Sequence, residues 1–333
     1  MNQSVLYYNF NEDGTCFCVG TDKGFQIWNL SPCKIRYAKD LGGIGIVDMV
    51  ERSNILALVG GGNNPAYPKN KVMIWDDNMG EVLAELEFRS QVSLVRISRT
   101  RIMVATWNKI YVYRFSDLSL LYSGEIQDGT GHITSYVDKI LAYPALRDGQ
   151  VQIHFEQSKF NKAPFQAHEH KISNLCLNRE ATLLATASSQ GTVIKIFNLG
   201  ERKLLTKLRR SKDPAKITHM SFSPNSEWLC VCSDKGTAHI FSILDDTKAQ
   251  KSSINFIGDI AILPSGLHDY VNSDFSFAQI HYLPPDSKVI FDTQVDNQLH
   301  VLSSDGHLTL YSFDTKRGGE ARRELSYIYK QGD

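Results

Sequence analysis

Short apolar strands recur along the chain, each behind a turn built from Gly, Asp, Asn or Lys. They read TDKGFQIWNL (21–30), KNKVMIWDD (69–77), WNKIYVYRF (107–115), RDGQVQIHF (147–155), SQGTVIKIFNL (189–199), DKGTAHIFSI (234–243) and SDGHLTLYSF (304–313). Side chains of an extended chain alternate between two faces, so this period of two predicts strands. Most copies are about 40 to 47 residues apart, the length of a four-stranded propeller blade. The fifth copy displays the whole unit as ISNLCLN, TLLATASS, TVIKIFNL and KLLTKLRR, four strands joined by short turns. The pattern predicts an all-β chain: a seven-bladed β-propeller of four-stranded WD40-like blades, one domain over residues 1–333. No long 3.6-residue periodicity competes, so helices should be few. The strand that begins near Val5 is expected to complete the blade containing 299–313, because ring closure removes exposed edges.

The spacing breaks once. Gly236 and Gly306 stand about 70 residues apart, on the order of 25 more than a blade needs. The surplus occupies 244–274, a long loop inserted in blade six, before SFAQIHYL resumes as a strand. Its INFIGDIAIL stretch is too apolar for a solvated linker.

Composition narrows the function class. The 36 basic residues balance 36 acidic ones, so the net charge is zero. Affinity from a global field, as in non-specific nucleic-acid binding, is thereby disfavoured, and any anion must be recognised locally. The opening MNQSVLYYNFNEDG carries neither the basic region nor the apolar run of a secretory signal, and no 18-residue apolar stretch occurs, so a cytosolic protein is expected. Cys16/Cys18 and Cys230/Cys232 share strand faces at i,i+2, a spacing of buried reduced thiols rather than of a metal knuckle. Neither a metal nor a cofactor is expected.

Positive charge concentrates in 202–216, where Arg202, Lys203, Lys207, Arg209, Arg210, Lys212 and Lys216 face only Asp213. Around the Arg209-Arg210 doublet lie AHEHKI (167–172), ASSQGTVIK (187–195) and CSDKGTAHI (232–240), which supply cations, hydroxyls and histidines in two similar sets. Phosphate recognition needs those types: Arg gives forked charge-assisted bonds, and hydroxyls and turn amides complete the oxygen shell. Adjacent residues on a strand point to opposite faces, so the two arginines can serve two places. At the blade rim they should contribute little to folding. The same residues also suit a solvated edge strand, where basic side chains discourage sheet-to-sheet pairing. The Ser-x-x-Gly-Thr turns and His168 likewise suit ordinary turn roles.

LRRS with its flanking blades resembles the L/F-R-R-G signature of the PROPPINs, phosphoinositide-binding seven-bladed propellers that include the WIPI proteins of autophagy. NFNEDGTCFCVGTDKGFQIWN, ALVGGGNNPAYPKNKVMIWDD, AHEHKISNLCLN, TLLATASSQGTVIKIFN and SFSPNSEWLCVCSDKGTAHIF are similar to the same family. The second of these points to the shorter WIPI-like branch. The resemblance implies two shallow pockets for phosphatidylinositol 3-phosphate and the 3,5-bisphosphate. The first would use His168, Ser188, Gly191, Thr192, Lys195 and Arg209, and the second Arg210, Ser233, Thr237 and His239. It also implies a membrane-entering loop in blade six, with Ile254, Phe256, Ile257, Ile260, Ile262 and Leu263 as its apolar face. An autophagy lipid-transfer protein would be a partner, touching blades two to three and the N-terminal FN-x-D segment at Asn11 and Asp13. The family glycine after the doublet is Ser211 here, which would be strained if the position requires positive φ. The family arginine at Lys195 keeps its charge but loses the planar fork.

The function so implied is a non-enzymatic, monomeric adaptor. It would sit peripherally on autophagosome-precursor and endosomal or vacuolar membranes and recruit autophagy machinery. A WD-repeat protein-interaction scaffold without lipid binding is the alternative. No Ser/His/Asp set, GxSxG or metal-ligand spacing stands in register for an enzyme.

Overall fold

The computed structural model describes residues 4–137, 139–157, 163–243, 250–251 and 274–329. Seven β-sheets follow one another, each built on four antiparallel strands, and none of the described residues is helical. They are the blades of a seven-bladed β-propeller. Sheet one orders Val5–Phe10, Cys16–Thr21, Gly24–Asn29 and Lys34–Asp40 in chain sequence. Sheet five does the same with Ile172–Leu177, Leu183–Ser188, Val193–Asn198 and Lys203–Arg209. In sheet six, Ile217–Phe222, Trp228–Ser233 and Thr237–Ser242 are completed by Ala278–Ile280. The surplus of the sixth repeat therefore lies between its third and fourth strands. Ile254, Phe256, Ile257, Ile260, Ile262 and Leu263 fall outside the described residues.

Contacts group the chain into two compact units. One comprises Met1–His132, Leu302–Thr309 and Leu325–Asp333, and the other Ile133–Val301 and Leu310–Glu324. In each unit, inner strands bury apolar side chains between neighbouring sheets. In the first unit, Ile46, Val59 and Ile74 of sheet two pack with Val95, Ile102 and Val104 of sheet three. In the second, Ala185, Ile194 and Leu208 of sheet five pack with Ile217, Met220 and Val231 of sheet six. Outer strands read differently: Lys34–Asp40 and Glu81–Glu87 alternate exposed and half-buried, as edge strands with one covered face do. The four thiols Cys16, Cys18, Cys230 and Cys232 are buried and free.

One expectation is overturned. Val5–Phe10 does not complete the seventh sheet but pairs with Cys16–Thr21 in its own. The seventh sheet takes its outer strand from Arg322–Ile328. The C-terminal RRELSYI segment is a full strand in itself, with Thr309 Oγ1 and Ser326 Oγ 3.1 Å apart across the pair, so no strand need be borrowed.

Candidate functional site

Both residue sets around the doublet lie in the second unit, on the turns and connectors at one end of sheets four to six. Three connectors are fixed in the same way. Ala167 and His168 donate their amides to the Gly149 carbonyl, Ala215 donates to Gln190, and Leu283 donates to Gly236. Each connector is thereby held against the turn between the second and third strands of its own sheet. The turns require glycine: Gly191 and Gly236 have φ of +60° and +73°. A Cβ at Gly191 would also meet the Ala215 carbonyl at 1.9 Å.

Strand register explains the pairing of residue types. Lys195 stands opposite Thr186 in sheet five and His239 opposite Val231 in sheet six. By register each stands opposite the residue two before the serine of its turn, Ser188 or Ser233, so Lys195 and His239 hold the same place in the repeat. Against each comes a residue from the preceding connector. His168 lies against the strand that pairs with that of Lys195, with Nε2 3.0 Å from Thr186 Oγ1 and 3.2 Å from the Thr186 carbonyl. The carbonyl can only accept, so Nε2 carries the proton. Lys195 Nζ donates to the Ala167 carbonyl at 2.8 Å. Burial, with the Lys195 charge second, pulls the His168 pKa down to about 4. In sheet six, burial and then the Arg210 and His281 charges pull His239 down to about 4 as well. Its Nδ1 lies 3.2 Å from Ser276 Oγ. Two neutral imidazoles therefore each sit beside a fixed cation.

The two arginines differ in depth. Arg209 ends its strand, pairs with Val193 and is half-buried, two residues from Lys207, which stands opposite Lys195. Arg210 follows the end of the strand and is buried. Its Nε donates to the Gly191 carbonyl at 2.8 Å and its Nη2 to the Asp213 carbonyl. The expectation that both arginines contribute little to folding thus fails for Arg210, whose guanidinium ties the 188–192 turn to the 210–213 connector. Its pKa is lowered by burial and supported by Asp234 and Asp213. Ser211 shows no left-handed backbone, and its Oγ accepts from the Asp213 amide at 3.2 Å, so a serine there brings no strain.

Ser188 and Ser233 are buried where the turns begin. The Ser188 carbonyl accepts the Gly191 amide at 2.9 Å, and Ser233 pairs with Thr237. Thr192, at the mouth of the first turn, gives its carbonyl to the Arg210 amide. The cationic window splits, however. Arg202 lies at the far end of its strand, over the Phe165 ring at 5.9 Å, and Lys203 pairs with Asn198 there. Three neighbours escaped notice in the sequence: Lys207 as a member of the first set, and Ser276 and His281 beside His239. His281 follows Ile280, which pairs with Ala238, so it occupies in sheet six the place of Arg209 in sheet five. That equivalence was hidden by the long insertion before its strand.

Asn11 and Asp13, in the first unit, serve the turn between the first two strands. Asn11 Oδ1 accepts the amides of Thr15 at 3.1 Å and Cys16 at 2.9 Å, and its Nδ2 donates to the Glu51 carbonyl at 2.9 Å. Asn178 does the same for Thr182 and Leu183, so this is a repeat feature. Asp13 accepts the Thr15 hydroxyl at 2.6 Å.

With this geometry in hand, comparison with known proteins is decisive, since the PROPPIN family model matches residues 4–325. The chain belongs to the PROPPIN family. Autophagy-related protein 18e of Arabidopsis thaliana is 35% identical, over 98% of this chain and 87% of that protein. Autophagy-related protein 18 of Dictyostelium discoideum is 30% identical, over 98% and 94%. Among solved structures, Hsv2 of Kluyveromyces lactis superposes with a TM-score of 0.80 at 22% identity, over 98% of this chain and 99% of that one. A complex of KlAtg21 with the coiled coil of AgAtg16 gives the same TM-score at 21% identity, over 99% and 100%. PROPPIN membership supports an autophagy-related, phosphoinositide-binding propeller.

Proposed function

We propose that this PROPPIN is a non-enzymatic adaptor that reads phosphatidylinositol 3-phosphate and the 3,5-bisphosphate through two headgroup pockets. His168, Ser188, Gly191, Thr192, Lys195 and Arg209 form the first, and Arg210, Ser233, Thr237 and His239 the second. The observation that carries the reading is the repeated pairing of a cation with a buried neutral histidine, His168 with Lys195 and Arg210 with His239. A phosphate seated there would offset the cationic charge that, second to burial, keeps each imidazole neutral, and would accept from turn hydroxyls. Lys195 in place of arginine gives a point charge rather than a fork. Two modest pockets on one membrane act together, the second engagement being intramolecular.

The apolar face of 254–263 is proposed to add membrane insertion, and the protein to work peripherally on autophagosome-precursor and endosomal or vacuolar membranes. The lipid-transfer partner is proposed to dock on a groove of about 440 Å³ whose walls include Val50, Ile55 and Phe115, with the Glu51–Arg99 ion pair at its rim. Asn11, which donates to the Glu51 carbonyl, and Asp13 are proposed to belong to this contact. Flotation with vesicles carrying no phosphoinositide, the 3-phosphate, the 4-phosphate or the 3,5-bisphosphate tests the lipid reading. Recruitment by the 3-phosphate and the 3,5-bisphosphate only is expected. No recruitment in any arm would leave the scaffold reading in its place, and equal recruitment in all four would overturn headgroup recognition.

A further inference from the structure

Tyr282 is 97% exposed, far beyond the next large apolar side chain among the described residues, Ile328 at 68%. Its backbone is left-handed, with φ of +62°. That region is unfavourable for a bulky residue, and no burial of the ring offsets the cost. The flanks explain how the conformation persists. Ile280 before it is buried and paired with Ala238, and Leu283 behind it is buried with its amide on the Gly236 carbonyl at 2.9 Å. Between these two anchors His281 and Tyr282 project outward, their rings tilted and 6.2 Å apart. Pro284 and Pro285 follow and stiffen the exit.

The surroundings say what such a ring meets. Gly236 belongs to the turn that carries Ser233 and Thr237. The same turn is fastened to the connector after the doublet, with the Asp234 amide on the Lys216 carbonyl at 3.0 Å and the Lys216 amide on Asp234 Oδ1 at 3.1 Å. Connector, turn and Tyr282 are therefore one contiguous surface, bearing exposed Lys212, Lys216, Lys235 and His281 against Asp213 and Asp234. A basic rim around a projecting tyrosine matches an anionic lipid surface. Tyrosine, apolar in body and polar at its tip, suits the headgroup level.

We propose, on the phosphoinositide reading above, that Tyr282 is an interfacial anchor. It seats at the headgroup–acyl boundary of the same membrane whose inositol headgroup occupies the second pocket. The anchor acts beside the pocket and takes no part in holding the phosphate.

The test compares wild type with Tyr282→Asp and Tyr282→Trp on phosphatidylcholine vesicles containing phosphatidylinositol 3-phosphate. Soluble inositol 1,3-bisphosphate is titrated in parallel. Asp tolerates the left-handed backbone, so this variant should fold. Tyr282→Asp is expected to weaken vesicle binding roughly tenfold while leaving the soluble headgroup unaffected. Tyr282→Trp, in a Trp107→Phe background, is expected to bind like wild type, with its new fluorescence quenched by brominated acyl chains. Unchanged vesicle affinity in Tyr282→Asp, an equal loss for the soluble headgroup, or an unquenched signal from the introduced indole would each overturn the anchor. A wild-type protein indifferent to phosphatidylinositol 3-phosphate would instead overturn the pocket reading, and the anchor with it.

Discussion

Replacing Arg210 with Thr should cost more stability than replacing Arg209 with Thr, although the two are neighbours. The Arg210 guanidinium is 7% exposed and donates to the carbonyls of Gly191 and Asp213. A hydrogen bond from a charged donor contributes roughly 1.5–3 kcal/mol, and a buried acceptor left without its donor costs about 1–3 kcal/mol. Asp213 is exposed and can recover a water, whereas Gly191 is buried and cannot readily do so. Removing a desolvated charge returns part of the loss. The balance is about 3 kcal/mol for Arg210. Arg209 is half-buried and pairs with Val193 through its backbone, which a threonine keeps, so its loss should cost less, about 1–2 kcal/mol. At ~2–4 °C per kcal/mol for larger domains, the melting temperature of Arg210→Thr should fall by on the order of 5–10 °C. Thermal unfolding by calorimetry, with urea midpoints as a second probe, reads the difference. Equal melting temperatures for the two variants would refute the reasoning, because the turn and the connector would then be held by something other than this guanidinium. The outcome also governs how lipid binding is read, since lost binding in Arg210→Thr would mix a missing contact with a loosened turn.

Acid should weaken the fold through His168 and His239. Both have folded pKa values near 4 against an ordinary 6.5, so the unfolded chain takes up more protons between those values. Their contribution is complete above about pH 6.5 and is lost as pH falls toward 4, up to roughly 3 kcal/mol for each, and a double Gln variant should show a flatter urea-midpoint profile over that window. Asn11→Ala removes four hydrogen bonds and should cost about 2 kcal/mol by urea unfolding, as should the matching Asn178→Ala. Gly191→Ala meets both a positive φ and the Ala215 carbonyl, so a loss of roughly 2–4 kcal/mol is expected, whereas Ser211→Gly should leave the melting temperature within about 2 °C.

Most of the fold was legible because propeller strands announce themselves by a period of two behind glycine-bearing turns. Gly191 and Gly236 sit at positive φ where the repeat placed them, and Thr186, Lys195 and Lys207 fall into register from alternation alone. The depth of each side chain was not legible. Nothing in LRRS distinguishes a half-buried arginine from one folded back onto its own turn, because Arg210 is held by the Gly191 and Asp213 carbonyls, which belong to the backbone. The turn-clamping bonds of Asn11 were likewise not legible, and its match to Asn178 reveals them. The seventh sheet was misassigned because Val5–Phe10 and Arg322–Ile328 are both competent outer strands by pattern. His281 was passed over because the insertion breaks the spacing that would have aligned it with Arg209.

The two-pocket claim is tested most directly by the stoichiometry of calorimetric titration with a short-chain, soluble phosphatidylinositol 3-phosphate. Two sites per chain are predicted for wild type. Arg209→Thr should remove one, and Thr237→Val combined with His239→Gln should remove the other. A single site in wild type, or two sites surviving in either variant, would contradict a headgroup pocket on each side of the doublet.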